Sequence, residues 1–212
     1  MILTFLKRCK KILPIDFNQY ELRDKSKAKT LAFSFAELKK NKGLALDIGC
    51  REGFWSKKLM GLGYTVTSTD IECIYEKCLH IDADKPLPFP SGIFDIVWGT
   101  EVFEHLKNPK LSSGEMRRVL ANDGMILLTT PNSYFWFFKI VTLFGHSLSE
   151  IQNPDHKQFF RYADIRTLFP SAEIYGYFPY TLLKVTIKNR LLISWLSPTF
   201  IIVEKNDPLR TL

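Results

Sequence analysis

Cysteine is sparse in this sequence, and no metal-ligand spacing connects what there is. The four residues are Cys9, Cys50, Cys73 and Cys78, and the tightest pair is only C-x4-C. That spacing excludes the paired C-x2-C of a structural zinc site. Free thiols in a reducing, cytoplasmic setting are the expectation. Long apolar runs are missing too. The nearest to a membrane span, residues 134–145 (YFWFFKIVTLFG), is short and carries Lys139, whereas a spanning helix needs roughly 20 apolar residues. The opening stretch, MILTFLKRCKKIL, breaks at Lys7 and Arg8. It has neither the apolar core nor the cleavage site of a secretory signal. There is no internal repeat and no low-complexity tract.

What is present is enough for one good core: 212 residues, 46% of them hydrophobic, which sets one domain as the expectation. The formal net charge of +7 favours anionic partners. Nucleic acid, a phosphorylated or lipid-linked substrate and an acidic membrane surface all qualify, and charge alone does not choose among them. Residues 1–25 mix basic and apolar types and read as an N-terminal arm, with KRCKK suited to an anionic surface. Residues 26–212 read as a single domain.

Within it, Leu31, Phe35 and Leu38 recur at helical spacing across 26–40, with Ser26 as a cap and Gly43 suited to a left-handed residue after the helix. A strand–helix rhythm follows. It predicts strands at 43–49, 64–70, 78–83, 93–100, 124–132, 172–180 and 198–205, and helices at 54–63, 108–120 and 161–169. Pro109 sits in the first turn of the second of these helices. The near-continuous apolar stretch in 124–132 suits a parallel sheet covered on both faces. Alternation of this kind points to a doubly wound α/β domain, interrupted by an aromatic insertion at 133–158.

The chemistry is expected beyond the carboxyl end of the first strand, where open α/β sheets bind ligands. Residues 45–55 read ALDIGCREGFW. A dinucleotide fingerprint starting at Gly49 would need glycine at positions 51 and 54; the chain has Arg51 and Phe54. No G-K-[ST] follows, so a P-loop is excluded as well. Asp47 would repel a pyrophosphate and instead favours a cationic ligand, directly or through water. Asp70 closes the second strand, 21 residues past Gly49 (70 − 49), where an acid can accept both hydrogen bonds of a ribose diol. S-adenosylmethionine combines a diol, an ammonium and a positive centre without phosphate.

LDIGCREG resembles the first motif of class I S-adenosylmethionine-dependent methyltransferases, usually D-x-G-C-G-x-G. The STD that ends the second strand, the block DADKPLPFPSGIFDIVWGTEVFEHLKNP and the stretch RRVLANDGMILLTTPN are similar to their later motifs, in order, over roughly residues 40–205. The resemblance implies a Rossmann-like fold whose seven-stranded, mostly parallel sheet ends in an antiparallel strand. It implies that Gly49, Cys50, Arg51 and Gly53 line the methionine part of the cofactor and that Asp70 and Ile71 hold the ribose. Asp82, Ala83 or Asp84 would sit at the adenine edge, and Thr100 would face the cofactor. Arg51 departs from the family's usual glycine. With ordinary dihedrals its backbone still lines the site, and its side chain must point away or neutralise Asp47 or Glu52.

Methyl transfer to oxygen also needs something to remove a proton. Glu104 and His105 are the candidates for that chemistry, in the turn EVFEHL after the fourth strand. In a helical turn, Glu101 would share a face with Glu104 and His105. The same acids and histidine either order the turn or hold a divalent metal, with His156 as a further ligand; small-RNA 2′-O-methyltransferases and quinone-pathway O-methyltransferases have a similar E-x-x-E-H. The insertion at 133–158 either packs on the domain or a dimer partner, or forms a lid with Lys139 snorkelling over an apolar, lipid-linked substrate at a membrane surface. The expected activity is O-methylation of a small-molecule, glycan or lipid-linked acceptor. The alternatives are a metal-dependent RNA 2′-O-methyltransferase and a non-catalytic, cofactor-binding partner protein.

Overall fold

The computed structural model of the chain describes residues 26–179 and 185–206. The expected arm at 1–25 lies outside them. The first element is helix α1 (Lys27–Leu38), opened by Ser26, whose hydroxyl accepts from the Lys29 N–H at 3.3 Å. That satisfies one of the amides the first turn leaves without a helical partner. The face it buries is Ala28, Ala32, Phe33 and Ala36. The stripe expected from Leu31, Phe35 and Leu38 is the flank instead: Leu38 is exposed and the other two are half-buried. Gly43 is not in the left-handed region. Its smallness serves packing, because a Cβ there would run into the Asp95 carboxylate, which accepts from the Leu44 N–H at 3.0 Å.

Strand β1 (Leu44–Ile48) is central. It pairs in parallel with β2 (Thr65–Asp70) on one side and β4 (Phe94–Thr100) on the other. Beyond β2 lies β3 (Cys78–His80), and beyond β4 lies β5 (Leu120–Pro131), both parallel to their neighbours. The direction then reverses. Strand β8 (Thr199–Lys205) runs antiparallel to β5, β6 (Glu173–Tyr177) antiparallel to β8, and the two-residue β7 (Thr186–Ile187) antiparallel to β6. The order β3-β2-β1-β4-β5-β8-β6-β7 reverses its progression between β1 and β4, so their carboxyl ends open a crevice. The sheet has one strand more than the seven expected, because β7 adds a short ribbon at the edge. β5 also begins earlier than expected. Leu120 already pairs with Phe94, and the register then shifts so that Met125 meets Ile96.

Successive β5 side chains alternate between two cores, as strand geometry requires. Ile126 and Leu128 pack on the side of α3 (Pro109–Val119) with Met116 and Val119, while Met125 and Leu127 pack on the side of α1 and α2 (Phe54–Gly61) with Phe33, Trp55 and Leu59. Burial on both faces is why this strand reads as an unbroken apolar run. Asn108 caps α3, its side chain accepting from the Leu111 N–H at 3.2 Å, with Pro109 in the first turn.

The insertion forms α4 (Trp136–Leu143) and the single turn α5 (Leu148–Ile151). Phe135 and Phe138 are buried in a small cluster of their own, while Leu143 and Phe144 on the outer end of α4 are exposed. Then come α6 (Tyr162–Leu168) and α7 (Arg190–Leu196); the segment holding α7 carried no expectation. Among the described residues, no helix is long and apolar enough to cross a membrane. The free-thiol expectation fails for one pair. The chain between β2 and β3 folds back until the Cα atoms of Cys73 and Cys78 stand 5.4 Å apart, and the two are joined as a disulfide, a separation such a bond spans. Cys50 stays free and buried.

Candidate active site

The turn after β1 is built from residues in unusual backbone conformations. Gly49 (φ 75°), Arg51 (φ 45°) and Gly53 (φ 74°) are all left-handed. Glycine is required at the outer two for steric reasons as well. A Cβ on Gly49 would collide with a Val102 methyl, and one on Gly53 would lie 2.5 Å from the Tyr75 ring. Arg51 does not have the ordinary dihedrals expected of it. It occupies a conformation that favours glycine, which explains the family's preference at this place. Its side chain takes one of the expected routes, lying 3.9 Å from Glu52 at the surface.

The turn's amides are turned inward. Gly49 and Cys50 donate to the Thr69 carbonyl at 2.8 and 3.0 Å, and Gly53 to the Cys50 carbonyl at 2.7 Å. The Arg51 N–H goes to Asp70 Oδ2 at 2.9 Å. A pyrophosphate cradle aims such donors at the ligand. Here they are used within the protein, so the turn suits a phosphate-free ligand. Asp70, half-buried at the end of β2, also accepts from the Glu72 N–H at 2.9 Å. Each carboxylate oxygen has a second lone pair for a diol. Ile71 beside it is exposed.

Asp47 is 2% exposed. Its carboxylate accepts from Ser56 at 2.5 Å, and Ser68 donates to Ser56 in turn at 2.7 Å. Burial pushes its pKa up to about 7; the Ser56 bond offsets part of this and the Asp70 charge adds to it. Burial likewise pushes the Cys50 thiol up to about 12. Ser56 and Tyr75 were not among the expected site residues. The signal for Ser56 was available: a carboxylate entering a buried strand needs a donor, and a serine sits in the first turn of the next helix.

The adenine-edge candidates separate. Asp82 is held below the usual carboxylate range, chiefly by the Asp84 N–H it accepts at 3.0 Å, and it pairs with Lys85 at 3.3 Å. Asp84 faces the other way. Its oxygens accept from the N–H groups of Lys107 and Asn108 at 3.0 and 2.8 Å, anchoring the start of α3. The Ala83 carbonyl takes the Ser112 hydroxyl of the same helix. Thr100 is half-buried at the end of β4, opposite Thr129.

Beyond β4 the chain does not form the helical turn that would put Glu101, Glu104 and His105 on one face. Glu101 is itself left-handed (φ 57°), its carboxylate accepting from Thr129 at 3.0 Å. A short 3-10 turn covers Phe103–His105. Glu104 is buried, with one oxygen accepting from Thr130 at 3.0 Å and the other without a hydrogen-bond partner. Burial, then the nearby Glu101 charge, raise its pKa well above the usual range. The Glu104 carbonyl accepts from the N–H groups of Lys157 and Gln158 at 2.8 and 3.0 Å. This clamp brings the distant His156 against His105, ring centroids 5.0 Å apart. Glu104, His105 and His156 each bring a ligand atom to within 4.8 Å of the other two; Glu101 is not in that group. Burial lowers the pKa of His105, and lowers that of His156 to about 4 with the help of His105. Both rings are neutral near pH 7. His105 Nδ1 lies 3.2 Å from the Asp155 carbonyl, which can only accept. The proton therefore sits on Nδ1, and Nε2 carries the lone pair.

A methyltransferase-domain family model matches residues 18–177. The ubiquinone biosynthesis O-methyltransferase of Caulobacter sp. (strain K31) is 32% identical over 101 residues, 41% of this chain and 40% of that protein. The malonyl-[acyl-carrier protein] O-methyltransferase of Buchnera aphidicola subsp. Baizongia pistaciae (strain Bp) is 30% identical over 95 residues, 40% of this chain and 38% of that protein. The chain thus spans about two-fifths of the length of these curated relatives. A SAM-dependent methyltransferase structure from Archaeoglobus fulgidus superposes with a TM-score of 0.61 at 16% identity, covering 84% of this chain and 92% of that one. At that identity the likeness concerns the fold.

Proposed function

The chain belongs to the methyltransferase-domain family, whose class I members use S-adenosylmethionine, and from that premise we propose that it methylates an oxygen of a small-molecule, glycan or lipid-linked acceptor. The observation that carries this reading is the inward-turned loop beside a diol-ready Asp70. The oxygen acceptor draws support from the names of the two relatives, both O-methyltransferases.

The transfer is an in-line displacement. The acceptor oxygen forms a bond to the sulfonium methyl as the carbon–sulfur bond breaks, and the electron pair leaves on sulfur. Much of the acceleration is positioning. The acceptor proton goes to His105 Nε2, which is unprotonated near neutral pH. Glu104, its pKa raised by burial, shapes the turn that holds His105.

A second reading has one specific observation behind it. The three clustered side chains, with a buried carboxylate oxygen that lacks a partner and two neutral imidazoles, fit a divalent cation. When bound, such a cation would lower the acceptor hydroxyl's pKa, and His105 would serve as a ligand. The test follows tritiated methyl from the cofactor to a panel of phenols, glycans and amphiphilic alcohols, with and without EDTA. For His105 as base, His105→Ala lowers transfer by about 10²–10⁴-fold, EDTA changes nothing, and cofactor affinity holds. EDTA sensitivity relieved by added metal supports the second reading. Label appearing on no acceptor oxygen counts against both.

A further inference from the structure

We propose that a second cleft, on the same carboxyl edge of the sheet, binds the phosphate of an amphiphilic acceptor. The proposal rests on the methyltransferase reading for the word acceptor, and on its own geometry for the phosphate. The cleft has a volume of about 350 Å³ and lies between α4, α6 and α7. Lys139 of α4, Arg161 at the start of α6 and Arg190 at the start of α7 all line it, with Tyr134, Tyr162 and Asn132. No carboxylate lines it. None of the three cations takes part in an ion pair among the described residues. Asp164 caps α6 through the Arg161 N–H but does not line the cleft.

Three like charges gathered without a counter-charge repel one another. What holds two of them is tyrosine. The Arg161 guanidinium lies 4.3 Å from the Tyr134 ring centroid, and that of Arg190 lies 5.6 Å from Tyr162. Stacking leaves the edge donors of each guanidinium free for an anion. Two arginine forks and an ammonium around one cavity match the oxygens of a phosphate, which accept several charge-assisted bonds at once.

The rim supplies the second half of the ligand. The two helices that carry Lys139 and Arg190 also carry exposed apolar side chains: Leu143 (85%) on α4 with Phe144 (79%) just beyond it, and Leu191 (72%) and Trp195 (56%) on α7. Lys139 sits 5.1 Å from the Trp195 ring and ties the two rims together. A cationic cavity whose flanking helices also carry exposed apolar side chains suits a charged head joined to an aliphatic tail, which a free phosphate would lack. The cleft and the candidate site share the carboxyl end of β5. Asn132, the residue after β5, donates to the Ser197 carbonyl at the end of α7 at 2.8 Å. Two residues back on the same strand, Thr130 holds Glu104. A remote charge bound here would orient the reacting oxygen toward the methyl group.

Calorimetry on the full chain tests this with three probes: dodecyl phosphate below its micelle threshold, inorganic phosphate and S-adenosylmethionine. The proposal expects dodecyl phosphate to bind. It expects R161Q/R190Q to weaken that binding at least tenfold while cofactor affinity stays within twofold, which also reports that the variant is folded. L143S/F144S should weaken dodecyl phosphate severalfold and leave inorganic phosphate unchanged. The site is refuted if neither phosphate binds, or if R161Q/R190Q binds dodecyl phosphate like the parent. The amphiphile is refuted if inorganic phosphate binds as tightly as dodecyl phosphate. Phosphate binding without any cofactor binding would sink the methyltransferase reading and leave the anion site standing.

Discussion

Replacing Asp47 with asparagine should flatten the pH dependence of stability. The carboxyl is almost wholly buried, and its pKa stands at about 7 in place of 3.8, chiefly because burial strips water from the charged form. An acid raised in this way keeps its proton in the folded chain where the unfolded chain has released it. Its stabilising effect is therefore complete below about pH 4 and is lost as the pH climbs toward 7. Each unit of difference corresponds to about 1.4 kcal/mol. The interval from 3.8 to about 7 makes the loss on the order of 4 kcal/mol by pH 8. Asparagine keeps an oxygen for the Ser56 hydroxyl and has no charge to lose. Glu104, also raised, slopes the same way, whereas His105 and His156, both lowered, add stability as the pH rises toward 6.5. These contributions are common to both proteins and cancel in the difference. Urea unfolding of parent and Asp47→Asn at pH 4.5, 6, 7.5 and 8.5 reads that difference directly. The variant should gain on the parent from pH 4.5 up to about 7.5 and change little between 7.5 and 8.5. Parallel curves would refute the placement of a protonated carboxyl under the turn.

Three further substitutions separate roles that neighbouring residues share. Arg51→Gly relieves a left-handed arginine (φ 45°), so thermal melting should show a gain of about 1 kcal/mol; a lower melting temperature would mean the side chain contributes more than its exposed pairing with Glu52 suggests. Asp84→Ala removes the acceptor of two amides at the start of α3 and should cost about 1 kcal/mol of stability. It should leave cofactor affinity within twofold, while Asp82→Ala lowers affinity with little change in melting; the opposite pattern would restore Asp84 to the adenine edge.

The sheet was legible because its signals are local and redundant. In β5, alternate residues feed two cores, so the whole strand reads as apolar, and in α3 a cap and a proline mark the start. The edge ribbon β7 is two residues long, too short to leave a period. Helix α1 misled because small alanines, not the larger Leu31 and Leu38, face the sheet where the packing is closest. The Cys73–Cys78 link depends on a chain reversal that no spacing rule encodes. At the site, the turn and its acids follow from chain order, but Asp84 lies in the same short stretch as Asp82 and only the path of the chain shows that it faces α3. The Glu104–His105–His156 group spans about fifty residues and exists because two amides near His156 bind the Glu104 carbonyl. Glu101 drops out for a backbone reason, its left-handed φ, which helical spacing could not foresee.

The central claim is that the turn after β1 and the acid ending β2 hold S-adenosylmethionine. Titration calorimetry of the parent and Asp70→Asn with this cofactor tests it most directly. Losing a charged acceptor of the ribose diol costs about 1.5–3 kcal/mol, so the account expects saturable binding by the parent and about ten- to hundredfold weaker binding by the variant, with the variant still folded but slightly destabilised because one of the Arg51 and Glu72 amides loses its acceptor. Equal affinities, or no binding by either protein, would contradict it.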